Sequence, residues 1–160
     1  MILDERLEFA DNVSVAAAAG TALIGDVIDL GSAPTTQDLS GGEDLYVVLR
    51  TGATEIITAG TAGTIQFFVV SDALATLGAG VVANCTTHLT SASLVTDDAA
   101  ANSDALNAGG TILVAKLPSG SYERYLGILC TIGTTTVTAG TIDAFLTKDA
   151  NRWRALPDAL

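Results

Sequence analysis

The stretch Tyr122 to Ile132 (YERYLGILCTI) limits the fold more than any other part of this chain. In an extended chain Tyr122, Arg124, Leu126, Ile128, Cys130 and Ile132 share one face, and Glu123, Tyr125, Gly127, Leu129 and Thr131 share the other. Neither face is wholly polar. A strand of this kind is solvated poorly on either side, so it belongs in the middle of a sheet that is covered on both faces. It is entered through Leu117-Pro-Ser-Gly-Ser121, where Pro fixes one φ and Gly accepts a positive one. It is left through Gly133-Thr-Thr-Thr, after which Thr141 to Thr147 makes another strand. Thr111 to Leu117 precedes it, with Ile112, Val114 and Lys116 on one face.

A strand covered twice needs a core, and the composition says what that core is made of. With 160 residues the chain is one domain, large enough to bury about 70% of its unfolded surface. Hydrophobic residues make up 49% of it, yet there is one Met and one Trp. The interior is therefore packed from Ala, Val, Leu, Ile and Thr methyls, which is a β palette. Leu45 to Arg50 is a strand with Leu45, Val47 and Leu49 inward, and Asp26 to Leu30 alternates before Gly31-Ser-Ala-Pro34 ends it. Thr61-Ala-Gly-Thr-Ile65 followed by Phe68 is echoed by Thr138-Ala-Gly-Thr-Ile142 followed by Phe145, at identical spacing. The period does not recur, so this is no solenoid. The echo is either two related corners of a Greek key or chance in a chain rich in Thr, Ala and Gly. Residues 71–110 are less regular: short helices at Ser71–Ala75 and Asp97–Asn107 flank a strand at Val81–Leu89, and the segment reads as a variable insertion. Met1 to Asn12 sets Ile2, Leu3, Leu7 and Phe9 among charges without a strict period, as an arm lying on a partner or a helix of one or two turns. The expected division is an arm (1–12), a β-sandwich (13–150) and a tail (151–160).

The net charge of −11 is unevenly spread. Residues 1–115 hold Arg6 and Arg50 against all but four of the 18 carboxylates, while residues 116–160 hold the other five basic residues. Such a surface repels nucleic acid and anionic membrane, and only the last third suits an acidic partner; the other reading is that the acidity serves solubility. Val13 to Ile24 is apolar but follows Asp4, Glu5, Glu8 and Asp11 instead of a basic segment, unlike a signal peptide. It is also too short to span a bilayer. Cys85 and Cys130 form no CxxC pair and read as buried free thiols in a reducing cytoplasm, with a disulfide between them left open.

Catalytic chemistry finds little support. His88 is the single histidine and stands among Thr86, Thr87 and Thr90. Asp97, Asp98, Asn102 and Asp104 lack the alternation of a calcium loop and read as a solvated helix face. There is no G-x-S-x-G elbow and no phosphate loop with its Lys. The expectation is a protein that is no enzyme, with no catalytic residue, no metal and no cofactor. Two polar groups stand out instead. Arg124 between Tyr122 and Tyr125 either projects at an interface or pairs with a cross-strand carboxylate. Arg152-Trp153-Arg154 is the one basic aromatic cluster, either an interface anchor or a tail folded onto its own domain.

Several of these segments together resemble a known family. LPSGSYERYL (Leu117–Leu126) and TAGTIDAFLTKDANRW (Thr138–Trp153) are similar to the capsid cement, or decoration, proteins of tailed phages, in particular the jelly-roll cement proteins of short-tailed phages. The opening MILDERLEFAD, with VIDLG (Val27–Gly31) and GGEDLYVVL (Gly41–Leu49), resembles the same family, whereas residues 71–110 do not. The resemblance implies an all-β, jelly-roll-like antiparallel sandwich. It also implies a structural role on the outer surface of a phage head, bound to the major capsid protein and to other copies of itself as a dimer or trimer, after synthesis in the host cytoplasm. Neither nucleic acid nor membrane is expected as a partner. Ile2, Leu3, Leu7, Phe9, Tyr122, Arg124, Arg152, Trp153 and Arg154 are the interface residues expected from the arm, the Arg124 group and the tail described above. The rival expectation is another non-catalytic sandwich, of carbohydrate-binding or tail-adhesin type, for which Trp153 and three tyrosines are few exposed aromatics.

Overall fold

The alternating runs become strands in the computed structural model, which describes residues 5–31, 38–39, 42–60, 63–96 and 103–150. In chain order they are β1 (Glu8–Ser14), β2 (Gly20–Asp29), β3 (Asp38–Leu39), β4 (Tyr46–Thr51), β5 (Ile57–Thr58), β6 (Gly63–Asp72) and β7 (Thr86–Thr90). There follow β8 (Leu94–Thr96), β9 (Thr111–Lys116), β10 (Gly120–Ser121), β11 (Tyr125–Gly133), β12 (Val137–Ala139) and β13 (Thr141–Thr147). All pairings are antiparallel.

One sheet runs β1-β13-β4-β9 and the other β2-β11-β6-β7, with β8 on the same side of β6 as β7. β7 and β8 act as one interrupted strand. Ser91 bridges the gap, its N–H donating to the Phe67 carbonyl at 2.9 Å and its Oγ accepting the Phe67 N–H at 3.0 Å. The short ribbons β3-β10 and β5-β12 apart, the strands in order of appearance alternate between the sheets except that the fourth and fifth are neighbours in one, so that first, eighth, third and sixth form one sheet, and second, seventh, fourth and fifth the other. That interleaving is two nested Greek keys, the jelly roll. The all-β antiparallel sandwich expected from the sequence is the fold observed.

The sheets close on one core. Val47 and Leu49 from β4 and Ile142 from β13 meet Ile65 and Phe67 from β6 and Leu126 and Ile128 from β11, all buried. The two-faced reading of β11 holds: Leu126, Ile128 and Cys130 face this core, while Leu129 faces outward into a second cluster with Val70 and Leu77. The echoed segments give central strands of opposite sheets, with Ile65 and Ile142 both inward.

Four sequence expectations change. Phe9 and Ala10 are buried, because Glu8–Ser14 is not an arm but an edge strand paired with β13. Two register shifts and a left-handed Asn12 (φ 50) break its period of two. Tyr122 precedes β11 instead of opening it, and its phenol donates back to the Pro118 carbonyl at 2.6 Å, locking the turn. Residues 71–110 contain the interrupted edge strand of the second sheet and not merely an insertion. The helix expected at Ser71–Ala75 is absent, and the described residues of this segment hold only single 3-10 turns at Gly78–Gly80, Val82–Asn84 and Asp104–Leu106, while the first six residues of the helix expected at Asp97–Asn107 lie outside the described residues.

The connection from β6 to β7 shapes the outer surface of the second sheet. Residues 73–85 cross the outer face of the second sheet as a strap. Leu77, Gly78, Ala79 and Gly80 all have positive φ (43, 62, 53 and 77°). For Leu77 and Ala79 this costs about 1–2 kcal/mol each. Burying Leu77 completely returns roughly 1.5–3 kcal/mol, so packing alone only about balances the strain. Two further features tip it toward closure. The Asp72 carboxylate accepts the Leu74 N–H at 3.2 Å and the Gly78 N–H at 2.6 Å. Gly127 on β11 leaves the hollow that Leu77 fills: a Cβ there would lie 2.4 Å from Leu77 Cδ1 and 3.2 Å from Val27 Cγ1.

Candidate functional site

The residues expected at an interface do not form one site. Ile2, Leu3, Arg152, Trp153 and Arg154 lie outside the described residues. Leu7 is 37% exposed in the turn before β1, whereas Phe9 and Tyr122 are 1% and 2% exposed and belong to the core. Arg124 is at the surface but engaged: Nε donates to Asp29 Oδ1 at 2.9 Å and Nη2 to Oδ2 at 2.8 Å. Its guanidinium also sits 4.8 Å over the Tyr125 ring. The fork and the Gly31 N–H together hold the Asp29 carboxyl down to about 2. Of the two readings of Arg124, the cross-strand ion pair is the one observed, joining β2 to the start of β11.

The nearest thing to a catalytic pair is Ser71 with His88, Oγ to Nε2 at 2.8 Å. Ser71 is fully buried, and its Oγ also accepts the Glu123 N–H at 3.3 Å, so it cannot meet a substrate. His88 stacks on Tyr122 with centroids 4.0 Å apart, and burial lowers its pKa. The cluster braces the end of β7 against the turn before β11. No group of three or more metal-ligating side chains occurs among the described residues. Cys130 faces the core, with its thiol pushed up to about 12 by burial, while Cys85 packs in the outer cluster. Both are free, and the sheet stands between them.

What residue-by-residue reading missed is an absence of charge. From Ala73 to Thr96 the chain contains no Asp, Glu, Lys or Arg. This run supplies the strap and the outer edge β7–β8. The neighbouring outward positions are uncharged too: Thr131 pairs with Thr21 and Gln66, and Leu129 with Leu23 and Phe68. Thr21 and Thr131 hydrogen bond to each other at 2.8 Å. Leu74 (65%), Val81 (47%) and Val95 (47%) are the large apolar side chains exposed on this side. Charge gathers instead at one end, with Asp29, Asp72 and Arg124, and on the other sheet. There Asp143 stands opposite Arg50 in the register of β13 and β4, and Lys116 forms an ion pair with Asp44 at 2.5 Å, as Lys148 does with Glu43. A scan for charge-free runs would have found the surface.

No curated protein matches this sequence. A family model described as Bbp16 matches residues 9–146, from the second residue of β1 to the sixth of β13, and therefore takes in both sheets of the jelly roll. The family name points to a phage-related protein. With well over half of its length matched, this chain belongs to the Bbp16 family.

Proposed function

We propose that this chain is a capsid cement protein, which binds the outer surface of an assembled phage head and stabilises contacts between neighbouring major capsid protein subunits. The observation that carries the reading is the match of the whole jelly roll to a family whose name points to phage. The fold suits the work: a sandwich with one continuous core is stiff, and resists shear between the subunits it bridges. Its role is mechanical, without catalysis, metal or cofactor, and its partners are the major capsid protein and other copies of itself, as a dimer or trimer, with neither nucleic acid nor membrane. A sugar-binding role is less well served, since Tyr122 is buried and Tyr125 lies under the Arg124 guanidinium.

The basic cluster Arg152-Trp153-Arg154, with Ile2, Leu3 and Leu7 at the other end of the chain, is the proposed grip on the shell. A ten-residue tail covers only several hundred Å², short of the roughly 1,000 Å² of a stable interface, so several tails must act together through self-association. The test is decoration of heads assembled without this protein. Full-length chain should co-sediment with them, and chain lacking Asn151–Leu160 should melt normally yet wash off. Heads that bind no full-length protein would sink the reading; full occupancy by the truncated chain would move the grip from the tail to the sandwich.

A further inference from the structure

We propose that the uncharged outer face of the β2-β11-β6-β7 sheet, with the strap 73–85 on it, is where a second copy of this chain docks. This deepens the cement reading by placing the self-contact that reading requires.

Charge selects the occupant. Each copy carries a net −11, so two copies approaching through most of their surfaces meet like charge. On this face the rows from Thr64 to Val70 of β6 and from Gly127 to Thr131 of β11 carry no Asp, Glu, Lys or Arg, and the strap adds none. Copies meeting here keep their carboxylates at the periphery, where physiological salt screens them over about 8 Å.

The area suffices. Four strands spaced about 4.8 Å apart, over some nine residues of about 3.3 Å, present on the order of 550 Å² per copy. Two such faces bury about 1,100 Å² in total, past the roughly 1,000 Å² of a specific interface. The face is also pre-shaped. Leu77 anchors the strap in the Gly127 hollow, and Asp72 holds two of its amides, so Leu74 and Val81 are presented on a fixed backbone. Little ordering remains to oppose association.

The experiment is sedimentation equilibrium of the full chain at about 5–100 µM in low and high salt, with head decoration measured in parallel. The parent chain should self-associate, and more strongly as salt rises, because like charges are screened and no interfacial ion pair is lost. Leu74→Glu and Val95→Lys alter side chains that are 65% and 47% exposed, so each folds, and each should weaken association at least tenfold. Val114→Lys, at a 43% exposed position on the opposite sheet, should leave it unchanged. A monomeric parent at every concentration, association that weakens with salt, or dissociation by Val114→Lys but not by Leu74→Glu would each overturn the proposal. Self-association through this face without decoration would keep this inference and sink the cement reading; decoration by a monomeric parent would sink this inference and keep head binding, with the grip then made by single copies.

Discussion

Replacing Leu77 by Ala and Gly127 by Ala, singly and together, tests whether the strap is held as described. Leu77 is fully buried in a left-handed conformation above Gly127. Leu77→Ala removes most of its side chain from a closed site and should cost about 2–5 kcal/mol. Ala retains a Cβ, so the backbone strain is not relieved. Gly127→Ala places a methyl 2.4 Å from Leu77 Cδ1, which forces the buried side chain aside at about 1–3 kcal/mol. In the double variant the new methyl enters the space Leu77 has vacated, so the two costs cannot add. The expected coupling is about 1–2 kcal/mol in favour of the double variant, within the range found for residues in contact. Urea denaturation followed by circular dichroism measures all four corners of the cycle, and at roughly 2–4 °C per kcal/mol the single variants should melt visibly lower. Costs that add to within about 0.5 kcal/mol would show that Leu77 and Gly127 do not touch, and the strap would then be misplaced.

Three further outcomes follow from the same structure. Leu126, fully buried on β11, should not tolerate Asp: an unpaired carboxylate in the core costs several kcal/mol, and a variant folding and melting like the parent would remove β11 from the centre of the sheet. Burial keeps the His88 pKa below its ordinary 6.5. The unfolded chain therefore takes up the proton first, and the stability His88 contributes is whole above pH 6.5 and declines as the pH falls below it; Tm should drop between pH 7.5 and 5.5, and His88→Gln should flatten that slope. The Asp29 carboxyl, held down by Arg124 and the Gly31 N–H, should titrate by NMR near 2, its stabilisation present above the ordinary 3.8 and lost toward pH 2. A midpoint at 3.8 would mean that the fork does not persist in solution.

Which of these features could be read from the sequence depended on how strictly local pattern matched local role. β4, β9, β11 and β13 are short runs rich in apolar and β-branched residues and were legible, as was the double covering of β11, because Leu129 and Tyr125 stand among the residues that would otherwise face water. β1 was not, since its two register shifts move Phe9 and Ala10, neighbours in sequence, together into the core and hide the edge strand behind an irregular pattern. The segment before β7 misled for another reason: Val82 and Cys85 look like strand residues, yet they serve the outer cluster through 3-10 turns. Asp72 looked like a helix cap, and its carboxylate does take backbone amides, but those of a left-handed turn. The neutral face was invisible to any search for chemistry-bearing residues, because what marks it is a lack of them.

Whether this chain, as proposed, clamps the outside of a phage head is decided by cryo-electron microscopy of the source particles. Jelly-roll density should stand at full occupancy outside the shell, over junctions between major capsid protein subunits, with the neutral faces of two copies in contact. A head whose outer surface lacks this density, or particles in which the chain occurs only within the tail, would contradict the proposal.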